Sequence, residues 1–178
     1  MLRFAVHGDV DELSRRAAHD RRASTRSAAA APGIRSLPHR RRRPRGRRTG
    51  GIAANSFTSV SLHPPIASVC VAHSSTTWPS LQHVPRLGVS VLGEHQESAG
   101  RQLGARDGDR FAALAWHPTD DGAVLLDGVS AWLDCSIHDR IAAGDHDIVL
   151  LRVHELDADP AVAPLVFHAS RYCRMERT

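Results

Sequence analysis

The chain has 178 residues, room for one ordinary domain and too few for two. Its 23 basic and 19 acidic side chains leave a net charge of +4, but that average joins two unlike segments. Residues 1–50 carry 14 arginines against four acids, a balance of +10, while residues 51–178 carry nine arginines against 15 acids, a balance of −6. There is no lysine. The basic character therefore belongs to the first segment and says nothing about the partners of the second.

Other classes fall away quickly. No apolar run approaches the ~18–20 residues that cross a bilayer, and the N-terminus lacks the apolar centre of a signal peptide. No GxGxxG, P-loop or HExxH occurs. Cys70, Cys135 and Cys173 are too far apart for a CxxC pair and odd in number, which fits free thiols in a reducing cytoplasm.

In chain order, Val10 to His19 suits a short helix, with Asp11 as cap and Leu13 and Ala17 on one face. From about Asp20 to Gly50 the text is Arg, Ala, Ser and Pro, with arginine at 40–43, 45, 47 and 48. So few large apolar residues cannot offset chain entropy by burial, so this stretch is expected to be a disordered or aberrant arm. A polyarginine tether for nucleic acid is the competing reading. No aromatic residue interleaves with the arginines to stack on bases, which argues against it.

From Gly51 the sequence turns to short β-like runs. Ile52 to Ser61 is a Ser/Thr-rich strand stopped by Pro64-Pro65, and Ile66 to Ala72 is a second strand. Thr76 to Val84 suits a helix with Ser74 or Ser75 as cap and Pro79 in its first turn. Leu87 to Leu92 follows as a strand, then Glu94 to Leu103 as an amphipathic helix closed by Gly104. Val124 to Leu126, Val129 to Ile137, Ile148 to Leu156 and Leu165 to Phe167 complete the strands, with turns at Asp127-Gly128 and Gly144-Asp145. Short strands, two small helices and no repeating βαβ unit predict a mainly β domain over 51–178, an antiparallel barrel.

Three runs could carry chemistry. NSFTSVSLHPP, from Asn55 to Pro65, crowds small donors and acceptors that suit the edge of a planar heterocycle; it equally describes an edge strand facing water. CVAHSSTTWPSL, from Cys70 to Leu81, ends a strand in four hydroxyls, Ser74 to Thr77, just before a helix. Helix N-termini favour anions, so a phosphate seat is one reading and simple N-capping the other. AGDHDIVLLRV, from Ala143 to Val153, sets His146 at the start of a strand, as a rim ligand or a solvated turn residue.

Taken together, NSFTSVSL-x-PP, the C-V-x-x-S-S-x-T-W-P segment, the G-x-x-x-x-DRF run ending at Phe111, LDGVSAWLDC, GDHDIV and LVFHASRY resemble the flavin reductase family in motif and order. The resemblance runs from about Gly51 to Tyr172. It implies an FMN-binding split β-barrel, antiparallel and of Greek-key type, with an atypical N-terminal part. It also implies a homodimer that reduces free FMN or FAD with NADH or NADPH and supplies a partner flavin-dependent monooxygenase by diffusion. Asn55, Ser56, Phe57, Thr58 and Ser59 would line the isoalloxazine, and Val71, His73, Ser74, Ser75 and Thr76 would hold the ribityl phosphate. His146, the implied catalytic residue, would contact the nicotinamide dinucleotide with Arg171 and Tyr172. Asp109, Arg110 and Phe111 would shape the pocket wall. Because the flavin carries the electronics of hydride transfer, the protein needs chiefly to stack two rings and bind modestly.

Departures from the family text bear on affinity. His63 stands where an aspartate is common before Pro64, His73 replaces a lysine-like or polar residue, and Ser90 replaces an asparagine. Ala169-Ser170 replaces a glycine-containing turn. Upstream, the family's first helix and strand lead directly into the NSFTS run, whereas here the arginine tract intervenes. Residues from about 20 to 49 have the composition that GC-rich coding DNA gives in a shifted frame, so they are expected to be a shifted-frame segment or a divergent replacement. A barrel that lacks that strand could bind flavin without useful turnover, which is the alternative to an active reductase. His138, His146 and His154 recur every eight residues but fall on different strands and a turn, and no carboxylate or cysteine pair completes a metal site.

Overall fold

The computed structural model describes residues 2–4, 50–54, 56–105, 107–168 and 171–173, with the side chains of 2–4, 168 and 173 excepted. The expectations for a helix over 10–19 and for the arginine tract lie outside those residues. A three-residue strand, β1 (Leu2–Phe4), is followed by β2 (Ile52–Ala54), β3 (Thr58–Leu62) and β4 (Pro65–Ala72). A single helical turn, α1 (Trp78–Leu81), leads to β5 (Leu87–Val91). A 3-10 turn at Glu94–Gln96 runs into α2 (Glu97–Gly104). The rest is β6 (Trp116–Pro118), β7 (Val124–Leu126), β8 (Ala131–Ala143), β9 (His146–Ala158), β10 (Val166–His168) and β11 (Arg171–Cys173).

Seven strands form one sheet in the order β2-β1-β5-β8-β9-β4-β3. Its pairs are antiparallel except where β1 lies parallel to β2 and β5. The core follows from strand periodicity. Ala67, Val69 and Val71 on β4 and Val149, Leu151 and Val153 on β9 point inward, while Arg152 and His154 between them point out. Each such Val or Leu contributes about 1.5–3 kcal/mol by leaving water. The β8–β9 hairpin closes on Gly144, whose φ of +66° is open to glycine at no steric cost.

β2 and β3 are consecutive in the chain yet form the two opposite edges of the sheet. Only residues 55–57 join them, and four Cα steps reach ~14 Å at most. The sheet must therefore coil until its edges face each other. No strand pairing closes that seam among the described residues; the side chain of Ser56 bridges it instead. Its hydroxyl donates to the carbonyl of Cys70 (3.2 Å) and accepts from the Cys70 N–H (2.9 Å), tying the β2–β3 link to β4.

The structure trims and splits several predicted elements. The continuous strand expected over Ile52 to Ser61 is two strands, because the chain changes edges at Ser56 and buries Phe57 in the core. The helix expected over Thr76 to Val84 is one turn, stopped before Pro85, whose ring disfavours helical backbone at Val84. The long hairpin overruns both predicted strands, and β6 and β11 carried no run long enough to announce them.

All five residues of β5 are buried, because the β6–β7 hairpin covers its outer face. Two features hold that cover. Ser90, on the buried strand, accepts the Leu126 N–H through its hydroxyl at 3.1 Å. Asp134, 4% exposed, receives the Thr119 hydroxyl (3.0 Å) and Arg86 (3.4 Å), which also pairs with Asp121. Gly88 makes the approach possible: a Cβ there would lie 1.9 Å from the Val124 carbonyl oxygen. Gly88→Ala is expected to lift the hairpin and destabilise the protein by about 3 kcal/mol or more, read as a lower urea midpoint, since the obstacle is backbone.

Candidate functional site

A cleft of about 260 Å³ opens at the seam where β2 faces β4. Its floor is apolar: Ile52 to Ala54 on one side, Val71 and Ala72 on the other, with Leu103 and Gly104 from the C-terminal end of α2. Cys70, Ser75, Arg110 and His146 supply polar atoms around it. Pockets for small molecules commonly measure ~300–1,000 Å³, so a flavin-sized ligand would be held over part of its surface and project beyond the cleft.

Each rim group is fixed by its element. β4 and β9 pair so that Ala72 lies opposite His146, which puts the histidine beside the β4 end. His146 Nδ1 lies 2.7 Å from the Asp145 carboxylate. An ionised carboxylate only accepts, so Nδ1 carries the proton and Nε2 is the ring's other, ligand-capable nitrogen. The same contact holds the Asp145 carboxyl below the usual carboxylate range, chiefly by the hydrogen bond and then by the imidazole's charge. Across the turn, His73 Nε2 lies 2.9 Å from Asp147, and the His73 N–H donates to the Asp145 carbonyl. Two histidine–carboxylate pairs thus flank the hairpin tip.

Beyond the β4 end, Ser75 accepts the Trp78 N–H through Oγ at 3.2 Å, satisfying the first donor of α1, whose N-cap position is Thr77. Arg110 Nη1 donates to the Gly51 carbonyl (3.0 Å) and to Thr77 Oγ1 (2.8 Å), linking the start of β2 to the entry of α1. The turn bearing Arg110 is anchored by Phe111, which is buried and set edge-on to Trp116 with centroids 6.1 Å apart, and by the Phe111 N–H donating to Asp109.

Of the residues expected from sequence, the structure brings Val71, Ser75 and His146 to this cleft, together with Arg110. Ser56 spends its hydroxyl on the β4 backbone, and Phe57 is a core side chain. Thr58 is exposed and pairs with Ser68, while Ser59 is half-buried opposite Ala67. Ser74 and Thr76 are exposed outside the cleft lining. Asn55 lies outside the described residues. Arg171 is exposed, and Tyr172 packs against Phe167 (5.1 Å between centroids) and under the Arg101 guanidinium (5.3 Å). Partial burial raises the Tyr172 hydroxyl's pKa. Both residues therefore sit on the α2 side and do not line the cleft. Sequence reasoning missed the carboxylate partners Asp145 and Asp147 and the cleft floor from α2; only the adjacency of Asp and His in GDHD signalled the first two.

Comparison with known proteins bears on the family and the fold. The model of the flavin reductase-like domain matches residues 40–176, beginning within the arginine run. A flavin reductase from Pseudomonas putida is 37% identical over 122 residues, covering 68% of this chain and 72% of that protein. The reductase subunit HsaB of a flavin-dependent monooxygenase from Mycobacterium tuberculosis is 33% identical over 128 residues, covering 71% and 68%. The solved structure of the NADH:FAD oxidoreductase SgcE6 from Streptomyces globisporus, in complex with NAD and FAD fragments, superposes with a TM-score of 0.66 at 37% identity, covering 69% of this chain and 75% of that one.

The Ser56 bridge gives a direct test of the seam. Ser56→Ala removes both bonds to Cys70, and we expect a stability loss of about 1–2 kcal/mol in chemical denaturation, with faster hydrogen exchange at the Cys70 amide.

Proposed function

The chain belongs to the flavin reductase-like domain family, and on that premise we propose that it is an NADH- or NADPH-dependent oxidoreductase that reduces FMN or FAD for a flavin-dependent monooxygenase. The observation that carries the reading is the cleft at the seam, where an apolar floor meets Ser75, Arg110 and His146 on two rims. Those residues suit a flat ring system with a polar tail. When bound, flavin supplies the hydride-accepting ring. The chain then has to seat that ring, exclude water beneath it and let the product leave.

Ile52, Val71 and Leu103 would exclude water from the ring's underside. The 55–59 run would present hydrogen-bonding edges to it, Phe57 through its backbone because its side chain lies in the core. Val71 and the His73–Thr76 corner would face the ribityl phosphate. His146, oriented by Asp145, would meet the nicotinamide dinucleotide, with Arg171 and Tyr172 approaching from the α2 side. Relatives named as reductase subunits of monooxygenases support the role of supplier.

A homodimer fits the same picture. Val60, Leu62 and Ile141 are 53%, 48% and 47% exposed, and Ile141 lies opposite half-buried Ile148 on the hairpin. Apolar groups grouped along strands and left in water favour burial against a second copy. A cytoplasmic setting is supported by the unpaired thiols of Cys70 and Cys135; burial pushes the Cys135 thiol up and keeps it protonated. Among the described residues no helix is long and apolar enough to cross a membrane. The folded domain is taken to span residues 51–178, joined in its sheet by β1 (Leu2–Phe4), with the arginine-rich stretch of about 20–49 a divergent or shifted-frame arm.

Mixing the protein with FMN or FAD and either nicotinamide should give flavin-dependent loss of nicotinamide absorbance. Flavin binding without that loss would select the inactive binding protein instead. His146→Ala should raise the nicotinamide KM by roughly 10-fold while flavin affinity holds, as expected for one lost polar contact. Light scattering should give twice the chain mass, and Ile141→Asp should reduce it to the monomer value.

A further inference from the structure

Gln102 lies in α2 immediately before Leu103 and Gly104, which line the cleft, yet it does not line the cleft itself. Its side-chain amide reaches instead into the turn that bears Arg110. Nε2 donates to the Ala112 carbonyl at 2.6 Å and to the Arg110 carbonyl at 3.2 Å, with the Asp109 carbonyl at 3.5 Å. One amide therefore fastens the backbone carbonyls of Asp109, Arg110 and Ala112 in the turn to α2, the Asp109 contact being the longest. The turn in turn delivers the Arg110 guanidinium to the rim, where it is half-buried and held by Gly51 and Thr77.

Apart from His146, Arg110 is the cationic residue among those lining the cleft. A partly buried guanidinium offers a fixed fork of donors suited to phosphate, and burial strengthens that attraction over its value in water. We propose that Gln102 is a positioning residue that sets Arg110 as the cleft's anion contact, so that this pair decides how strongly the protein prefers a phosphorylated flavin over the same ring without phosphate. The inference rests on the flavin reading given above.

The test compares affinities of the full chain for FMN and riboflavin by fluorescence quenching, with thermal melts confirming that each variant folds. Arg110→Met should weaken FMN by roughly 10–100-fold and leave riboflavin within about 2-fold, the range for one charge-assisted hydrogen-bonding group. Arg110→Lys should recover part of the loss. Gln102→Met, which keeps the volume and removes the donors, should weaken FMN by roughly 3–10-fold, again sparing riboflavin. Equal losses for both ligands, or no loss for FMN, in folded variants would overturn the proposal. Failure of the unaltered protein to bind either ligand would overturn the flavin reading itself, and the proposal with it.

Discussion

Three residues between Ala54 and Thr58 govern the architecture. They connect strands that stand at opposite edges of a seven-stranded sheet, and so short a link obliges the sheet to coil. The cost of leaving two edges unpaired is met locally: Ser56 stands in for a ladder bond to Cys70, and the apolar ends of β2 and β4 bury Leu103 between them. The cleft is what remains where the edges approach without joining. Its position follows from chain connectivity more than from any single side chain, which is why the residues that line it come from β2, β4, β9, α2 and two connecting turns.

The sheet was largely readable in the sequence because its signal is periodic. Val69 and Val71 alternate with Ser68, Cys70 and Ala72, while Ile148 to Leu151 is a continuous β-branched and leucine run, and these runs became β4 and β9. Lengths were less legible. The β8 arm beyond Ile137 is exposed and carries no apolar alternation, so its length is set by the register with β9. The split of the NSFTS strand was hidden because serine and phenylalanine suit a strand in either case; what separates β2 from β3 is a change of partner, a tertiary event.

The candidate site was legible in part for a similar reason. His146 opens β9 just after its turn and Ser75 stands in the turn after β4, and both reach the cleft. Ser56 was read as a ligand group, but its hydroxyl is taken by a backbone 14 residues away. Tyr172 was grouped with His146, yet aromatic and cation contacts with Phe167 and Arg101 hold it against α2. Gln102 carries no motif; its role depends on a loop that folds back eight to ten residues later. The charge arithmetic divides along the same line. Among the described residues, an acidic domain keeps one guanidinium, that of Arg110, at its cleft.

The hairpin tip at Gly144 and Asp145 bears on timing. His146 to Ile148 on the β9 arm are half-buried and pair with β4, whereas the β8 arm from His138 to Ala143 is exposed and pairs with β9 alone. Backbone bonds in such a place open locally at small free-energy cost, far below that of unfolding the sheet. His146 is held to β4 by its pairing with Ala72 and by the His73 N–H donating to the Asp145 carbonyl, so it stands with Val71 and Leu103 on the fixed side of the cleft. Local opening of the hairpin is therefore expected in the β8 arm, which contributes no residue to the cleft lining, and the wall formed by β4 and β9 stays in place.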